Sequence, residues 1–240
     1  MRRRFFVDEV RNGKAELSGD DAKHLTRVLR VEAGQRFEIS DNRNVYLAEI
    51  ETARKELVIF RTLEKLAMPE PGTRLVLCAA LFKFDRFEWM IEKATELGVS
   101  EIVPVETTRS ERGLERAAQK RVERWRRIAL EASQQSRRAT LPIVRDPAAW
   151  PEALTVPAER RYALDETPGV SSWPSTLDAS GSVAILTGPE GGWTDEERQS
   201  FAAAGWTAVS LGPLILRAET AAIAALAIAS AFGAKAGVET

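Results

Sequence analysis

Two stretches decide the fold: VAILTGPEGGWTDEE at 183–197 and AVSLGPLILRAETAA at 208–222. Each opens with a short apolar run, Val183–Leu186 and Ala208–Leu211, that reads as a buried strand. Each then turns at a Gly-Pro pair, Gly188-Pro189 or Gly212-Pro213. A helix follows in both cases. Thr194–Ala204 carries a Thr194/Glu197 capping-box pattern with Gly205 after it, and Glu219–Phe232 runs up to Gly233. Strand, rigid loop and helix in succession imply an α/β domain with a mainly parallel sheet, whose ligand sites lie at the carboxyl ends of the strands. Glycine lets a ligand lie against the backbone, and proline stiffens the loop. Two such loops at neighbouring strand ends are expected to form one slot, lined chiefly by Leu186, Thr187, Gly188, Gly191, Leu211, Gly212, Leu216 and Ala218.

The same pattern extends towards the N-terminus. Leu75–Leu81 (LVLCAAL) is continuously apolar, as a strand buried on both faces should be. Asp85–Leu97 reads as a helix with an Asp85/Glu88 capping box and Gly98 just past its end. Ile102–Val105 and Tyr162–Leu164 read as strands, and Leu114–Gln135 as one long basic helix. Ala67-Met-Pro-Glu-Pro-Gly72 breaks this series and marks a boundary between domains 1–70 and 73–240. Before it the chain is β-rich: Arg3–Val7, Arg36–Ile39, Val45–Ile50 and Leu57–Leu63 are short strands separated by turn residues. A single helix, Asp20–Arg30, has Ser18 or Asp20 as N-cap and Leu25, Val28 and Leu29 on one face. Short strands around one helix suggest a small barrel.

Composition excludes several classes. The chain has 240 residues, enough for about two domains. One cysteine, Cys78, excludes an internal disulfide and fits a reducing cytosol. Together with one histidine, His24, it leaves no usual zinc set, so no metal is expected. The basic start MRRRFF lacks the apolar core of a signal peptide. The Ala-rich run from Ala221 is too short to span a bilayer, so no membrane association is expected. There is no GxSxG elbow, phosphate-binding GxxxxGK loop or GxGxxG fingerprint. Net charge is −1, but residues 109–138 hold ten Lys and Arg against four Asp and Glu. That segment is either a solvated helix face or a local contact for an anion such as nucleic acid.

GPEGGWTDEE at 188–197 and LGPLILRAETAA at 211–222 resemble the two signature loops of the RsmE family, 16S ribosomal RNA (uracil-N3) methyltransferases of the SPOUT superfamily. HLTRVLRVEAGQ at 24–35 is similar to the family's H-x-x-R-V-L-R pattern, and EKATELGVSEIVP at 92–104 to its K-x-x-E-L-G-V segment. EASQQSRR at 131–138 is similar to its A-x-E-Q-x-x-R stretch, with Gln134 where the family often has Glu and Arg137 where it often has a small residue. The resemblance implies a PUA-like β-barrel followed by a trefoil-knotted SPOUT α/β domain. It implies S-adenosyl-L-methionine in the slot, ribosomal RNA of the small subunit as substrate, a homodimer and a cytoplasmic site of action. The run AAIAALAIASAF at 221–232, apolar on nearly every face, agrees with a helix buried all round, as a dimer would require.

On that resemblance the residues acquire candidate roles. Uracil N3 carries a proton that must leave as the methyl group arrives, so the enzyme needs alignment, a proton acceptor and an anion stabiliser. Arg217 is expected to stabilise the uracil anion or grip a phosphate, and Glu190 or Glu219 to accept the proton. A carboxylate at a helix N-terminus can instead be there for the helix. Arg109, Arg112, Arg116, Arg137 and Arg138, with Arg27 and Arg30 of the barrel, are the expected RNA contacts. Rival readings stay open: a related methyltransferase with another ribosomal RNA target, a catalytically degenerate RNA-binding protein, and an unrelated α/β enzyme with a nucleotide cofactor.

Overall fold

A computed structural model describes residues 4–68, 72–173 and 181–235, with side chains to residue 232. Arg3, at the start of the first expected strand, and Pro69–Pro71 of the expected boundary lie outside the described residues. The chain divides into two compact units. One comprises Met1–Glu70 with Ser133–Leu141, the other Pro71–Ala132 with Pro142–Thr240.

The first unit is a mixed five-stranded sheet in the order β1-β3-β4-β5-β2, made of β1 (Arg4–Phe6), β2 (Lys14–Ser18), β3 (Arg36–Ser40), β4 (Val45–Arg54) and β5 (Leu57–Leu66). Phe5, Ile39, Ile50 and Phe60 fill its core. Asp41 accepts the N–H groups of Arg43 and Asn44, and Asn42 takes φ 66°, which closes the β3–β4 turn. The sequence reading missed β2, because KAELS supplies only Ala15 and Leu17 to the core. It also made the helix too regular. Helix α1 covers Gly19–Lys23 and passes into a π turn at His24–Val28, where the Leu29 N–H reaches back to the His24 carbonyl. The wider turn buries Leu25 and leaves Val28 65% exposed, so the expected shared face does not form. Ser18 is the N-cap residue, without a side-chain cap bond.

Residues 133–141 fasten to this unit through polar bonds. Glu38, buried on β3, accepts from Arg4 at 2.7 Å and from Arg137. The Ser40 hydroxyl donates to the Ala139 carbonyl at 2.6 Å, and the Leu141 N–H to Asn42 Oδ1 at 2.8 Å.

The second unit is a wholly parallel six-stranded sheet in the order β11-β9-β10-β6-β7-β8. Its strands are β6 (Arg74–Ala80), β7 (Glu101–Val105), β8 (Ile143–Val144), β9 (Arg160–Leu164), β10 (Ser182–Thr187) and β11 (Thr207–Val209). Strand β6 is buried on both faces, as its apolar run requires. Leu75, Leu77 and Ala79 share a core with helices α2 (Phe84–Glu96), α4 (Val122–Gln135) and α7 (Ala218–Lys235). Val76 and Cys78 share the opposite one with α5 (Trp150–Leu154), Trp193, Phe201 and Trp206. Helix α6 (Asp195–Ala203) carries the expected Thr194/Glu197 capping box, with Gly205 at φ 81° beyond its end. Among the described residues no helix is long and apolar enough to cross a membrane.

Four expectations need correction. The two Gly-Pro strands are not neighbours, because β9 lies between β11 and β10. The long basic helix is two helices, α3 (Leu114–Gln119) and α4, parted at Lys120 and Arg121, whose N–H groups close tighter three-residue turns onto Ala117 and Ala118. No Asp85/Glu88 box forms: Lys83 is the N-cap, and Glu88 is held by Arg121 at 3.1 Å and Arg124 at 2.8 Å. Helix α7 runs through Gly233 to Lys235 and is not buried all round. Ala222, Ala225, Leu226 and Ala229 face the core, whereas Ile223, Ala224, Ala227 and Ile228 are half-buried.

Candidate functional site

The sheet order brings three strand ends together, β11, β9 and β10, and a cavity of about 380 Å³ opens at their carboxyl ends. The β10 loop contributes Gly188, Pro189, Glu190 and Gly192, and the β11 loop contributes Ser210 to Ala218 apart from Pro213. The β9 loop adds Leu164, Asp165 and Glu166, and helices α2 and α7 add Arg86 and Ala221. Of the residues named from the sequence, Gly188, Leu211, Gly212, Leu216 and Ala218 line this space. Leu186 and Thr187 are buried in β10 below it, and Gly191 faces Arg109 instead.

Local sequence accounts for the walls. A Cβ on Gly188 would stand 3.1 Å from the ring of Trp193, so glycine lets the loop lie on that side chain without pushing the ring aside. Trp193 is buried, and its indole N–H donates to the Leu164 carbonyl at 2.7 Å, tying the β10 loop to the end of β9. Gly212 has φ 125°, a conformation closed to residues with a Cβ, and its N–H donates to the Ser210 hydroxyl. Beyond it Leu214 and Ile215 are 77% and 86% exposed, an apolar lip at the cavity mouth.

The cavity lining carries charge of both signs. Asp165, Glu166 and Glu190 line it together with Arg86 and Arg217, and Arg86 stands against Glu190. Asp165 is buried and accepts from Arg198 at 2.9 Å and from the Thr167 hydroxyl at 2.7 Å. Burial alone would raise its carboxyl, but the bonds from Arg198 and Thr167 outweigh it and hold the group below the usual carboxylate range. Arg86 pairs with Glu190 at 2.8 Å and lies 3.9 Å from Glu219. Glu219 sits in the first turn of α7, 7% exposed, behind Arg86 and off the cavity wall, and its Oε2 has no hydrogen-bond partner. Arg217 lines the cavity and is exposed, and its guanidinium has no ion pair or side-chain hydrogen bond among the described residues. The sequence reading missed Arg86 and Asp165, because nothing local distinguishes them before the strand order is known. Cys78 offers no nucleophile here, since burial pushes its thiol up to about 12.

The expected RNA contacts separate into committed and available arginines. Arg137 is committed to Glu38, and Arg138 is half-buried and donates to the Thr140 carbonyl. Arg109 donates from one guanidinium nitrogen to the carbonyls of Gly191 and Trp193, both at 3.0 Å. Arg27 and Arg30 on the first unit, and Arg112 and Arg116 on the second, are exposed, and their guanidinium groups have no partner among the described residues.

The cavity suits S-adenosylmethionine. Its size lies within the range of small-molecule sites. Leu164, Val209, Leu211, Leu216 and Ala218 offer an apolar wall for a flat ring, and Asp165, Glu166 and Glu190 offer negative charge for a ligand bearing a sulfonium and an ammonium. Glycine at 212, with nothing within 4 Å of where a Cβ would stand, leaves the backbone open there.

Comparisons with known proteins agree. Residues 69–230 match a family described as an RNA methyltransferase domain, and residues 17–63 one described as an RNA methyltransferase PUA domain. Ribosomal RNA small subunit methyltransferase E of Synechocystis sp. is 34% identical, with 92% of this chain and 74% of that protein covered. The protein of the same name from Bacillus subtilis is 31% identical, with 95% of each covered. Among solved structures, a ribosomal RNA small subunit methyltransferase E from Neisseria gonorrhoeae bound to S-adenosyl methionine superposes with a TM-score of 0.86 at 30% identity, covering 95% of this chain and 96% of that one. A methyltransferase from Legionella pneumophila in complex with the cofactor SAM superposes at 0.85 and 30% identity, covering 96% and 98%.

Proposed function

The chain belongs to the ribosomal RNA small subunit methyltransferase E family, with that family's methyltransferase and PUA domains, and from this premise we propose that it methylates N3 of a uracil in 16S ribosomal RNA with S-adenosylmethionine as donor. The observation that carries the reading is the cavity where the two Gly-Pro loops and the β9 loop converge, lined in part by Arg217, whose side chain is unpaired among the described residues. S-adenosylmethionine, when bound, supplies an electrophilic methyl group on a positively charged sulfur. The chain's residues do the rest. The glycine-opened loops and the apolar wall hold the cofactor. Arg217 offsets the negative charge that develops on the uracil as its N3 proton departs. Glu190, which lines the cavity, accepts that proton, and Arg86 orients it. Glu219 lies off the cavity wall and instead anchors Arg86 and the start of α7.

Arg27, Arg30, Arg112 and Arg116 meet RNA phosphates, supported by their exposure and lack of partners. The protein acts in the cytoplasm, supported by the ribosomal RNA methyltransferase names of its relatives, and as a homodimer, supported by the half-buried apolar face of α7. The segment around β9, β10 and β11 is threaded as a trefoil knot, supported by the family resemblance of its two Gly-Pro loops.

A direct test of the slot is a calorimetric titration of S-adenosylmethionine into Gly212→Val. The substitution is strained because of φ 125°, yet a Cβ there meets nothing within 4 Å, so the loop changes path while the core stays packed. Binding is expected to be lost with the far-ultraviolet spectrum unchanged. Wild-type affinity in the folded variant would place the cofactor elsewhere.

A further inference from the structure

We infer that Arg109, which charge patterning alone assigns to RNA, is a positioning residue of the β10 loop: it holds GPEGG in the shape that receives the cofactor. The inference rests on the proposed cofactor site and adds to it a residue outside the cavity wall. Arg109 lies in the segment between β7 and α3, and one of its guanidinium nitrogens donates to both Gly191 and Trp193 carbonyls at 3.0 Å. Those two carbonyls bracket the end of the loop, immediately after Glu190 and before Thr194, so one cation fixes both the turn and the entry into α6. A second bond sits beside it: the Thr108 N–H donates to Glu197 Oε1 at 2.8 Å, while Glu197 Oε2 accepts from the Thr194 N–H at 2.9 Å. The 106–113 segment is thus attached to both ends of the Trp193–Glu197 cap.

Packing makes the fit specific. A Cβ on Gly191 would stand 3.2 Å from the Cβ of Arg109 and 3.5 Å from its Cδ, so the loop lies on the arginine stem as well as on its head. The Trp193 carbonyl also accepts from Arg198 at 3.0 Å, and Arg198 in turn holds Asp165 on the cavity wall. Arg109 and Arg198 therefore converge on one carbonyl from the two sides of the loop. An arginine spent on two carbonyls has less to offer a phosphate than Arg112 and Arg116, which follow in the same segment without partners among the described residues.

Two measurements separate positioning from RNA contact. The first is the dissociation constant for S-adenosylmethionine. The second is the slope of log K against log salt for binding to small-subunit ribosomal RNA, which falls by about one for each phosphate contact removed. For Arg109→Ala, cofactor affinity is expected to weaken about tenfold, the scale of a charge-assisted hydrogen-bond pair, with the RNA salt slope unchanged. KM for the cofactor should rise while the single-turnover rate at saturating cofactor stays near that of wild type. Arg109→Lys, which keeps the stem and one donor direction, should recover part of the cofactor affinity. Arg112→Ala should show the opposite pattern, a shallower slope with normal cofactor affinity. Cofactor affinity in Arg109→Ala equal to wild type, or a slope lowered by about one, overturns the inference. Gly212→Val keeps the two levels apart. If it binds the cofactor normally, the cofactor site and this inference fall together; if it does not bind and Arg109→Ala does so normally, only this inference falls.

Discussion

Arg217 leaves the second Gly-Pro loop just before α7 begins, and the apolar residues ahead of it, Leu214 to Leu216, leave it the first charge beyond the turn. On the cavity wall it has no carboxylate partner among the described residues, whereas Arg86 nearby is paired with Glu190. A cation kept free in this way can respond to charge that forms only during the reaction. Arg217→Ala should therefore lower kcat by on the order of 10²–10³, as loss of one preorganised anion-stabilising donor does, with little change in cofactor affinity. Arg217→Lys should restore only part, because an ammonium lacks the planar fork. Single-turnover methylation of ribosomal RNA decides between roles: a normal rate with weakened RNA binding would make Arg217 a phosphate grip. At this scale the glycines of the two loops were legible in the sequence, since Gly-Pro after an apolar run has a direct backbone meaning. Arg86 and Asp165 were not, since their place on the wall is set by α2 and β9, far from either loop in sequence.

Among the elements, β9 is the one whose position the sequence did not disclose. Its five residues, RRYAL, hold too little pattern to say which strands flank it, yet its insertion between β11 and β10 is what adds a third, acidic loop to the site. That loop is fixed by the Asp165–Arg198 pair, and the pair has a pH signature. Because the folded-state carboxyl of Asp165 is held low, the unfolded chain takes up its proton first as pH falls. The pair's contribution to stability is complete above the usual aspartate range, about pH 4, and is lost as pH drops through the folded value. Thermal melting of wild type and Asp165→Asn from pH 7 to pH 3 should show the largest gap at neutral pH and a narrowing gap on the acid side. A gap constant with pH would mean that the carboxylate charge contributes nothing. The segment 133–141 gives a similar lesson about elements. Its arginines read as an RNA-facing run, but Arg137 is drawn to Glu38, buried 99 positions earlier on β3, a pairing that no local pattern encodes.

Across the whole molecule, the division into a β-rich first part and an α/β second part was legible from the change between short, turn-separated strands and buried apolar runs each followed by a helix. Helix boundaries and the helix-like break at Lys120 were less so, because propensity differences within a basic segment are small beside tertiary packing. The proposed function joins the Gly-Pro cavity to methylation of a uracil at N3. Nucleoside mass spectrometry of small-subunit ribosomal RNA, incubated with S-adenosylmethionine and either the wild-type protein or Gly212→Val, tests it most directly. The expected result is 3-methyluridine with wild type and none with the variant. Methylation on a different atom or base, or equal 3-methyluridine from both proteins, would contradict it.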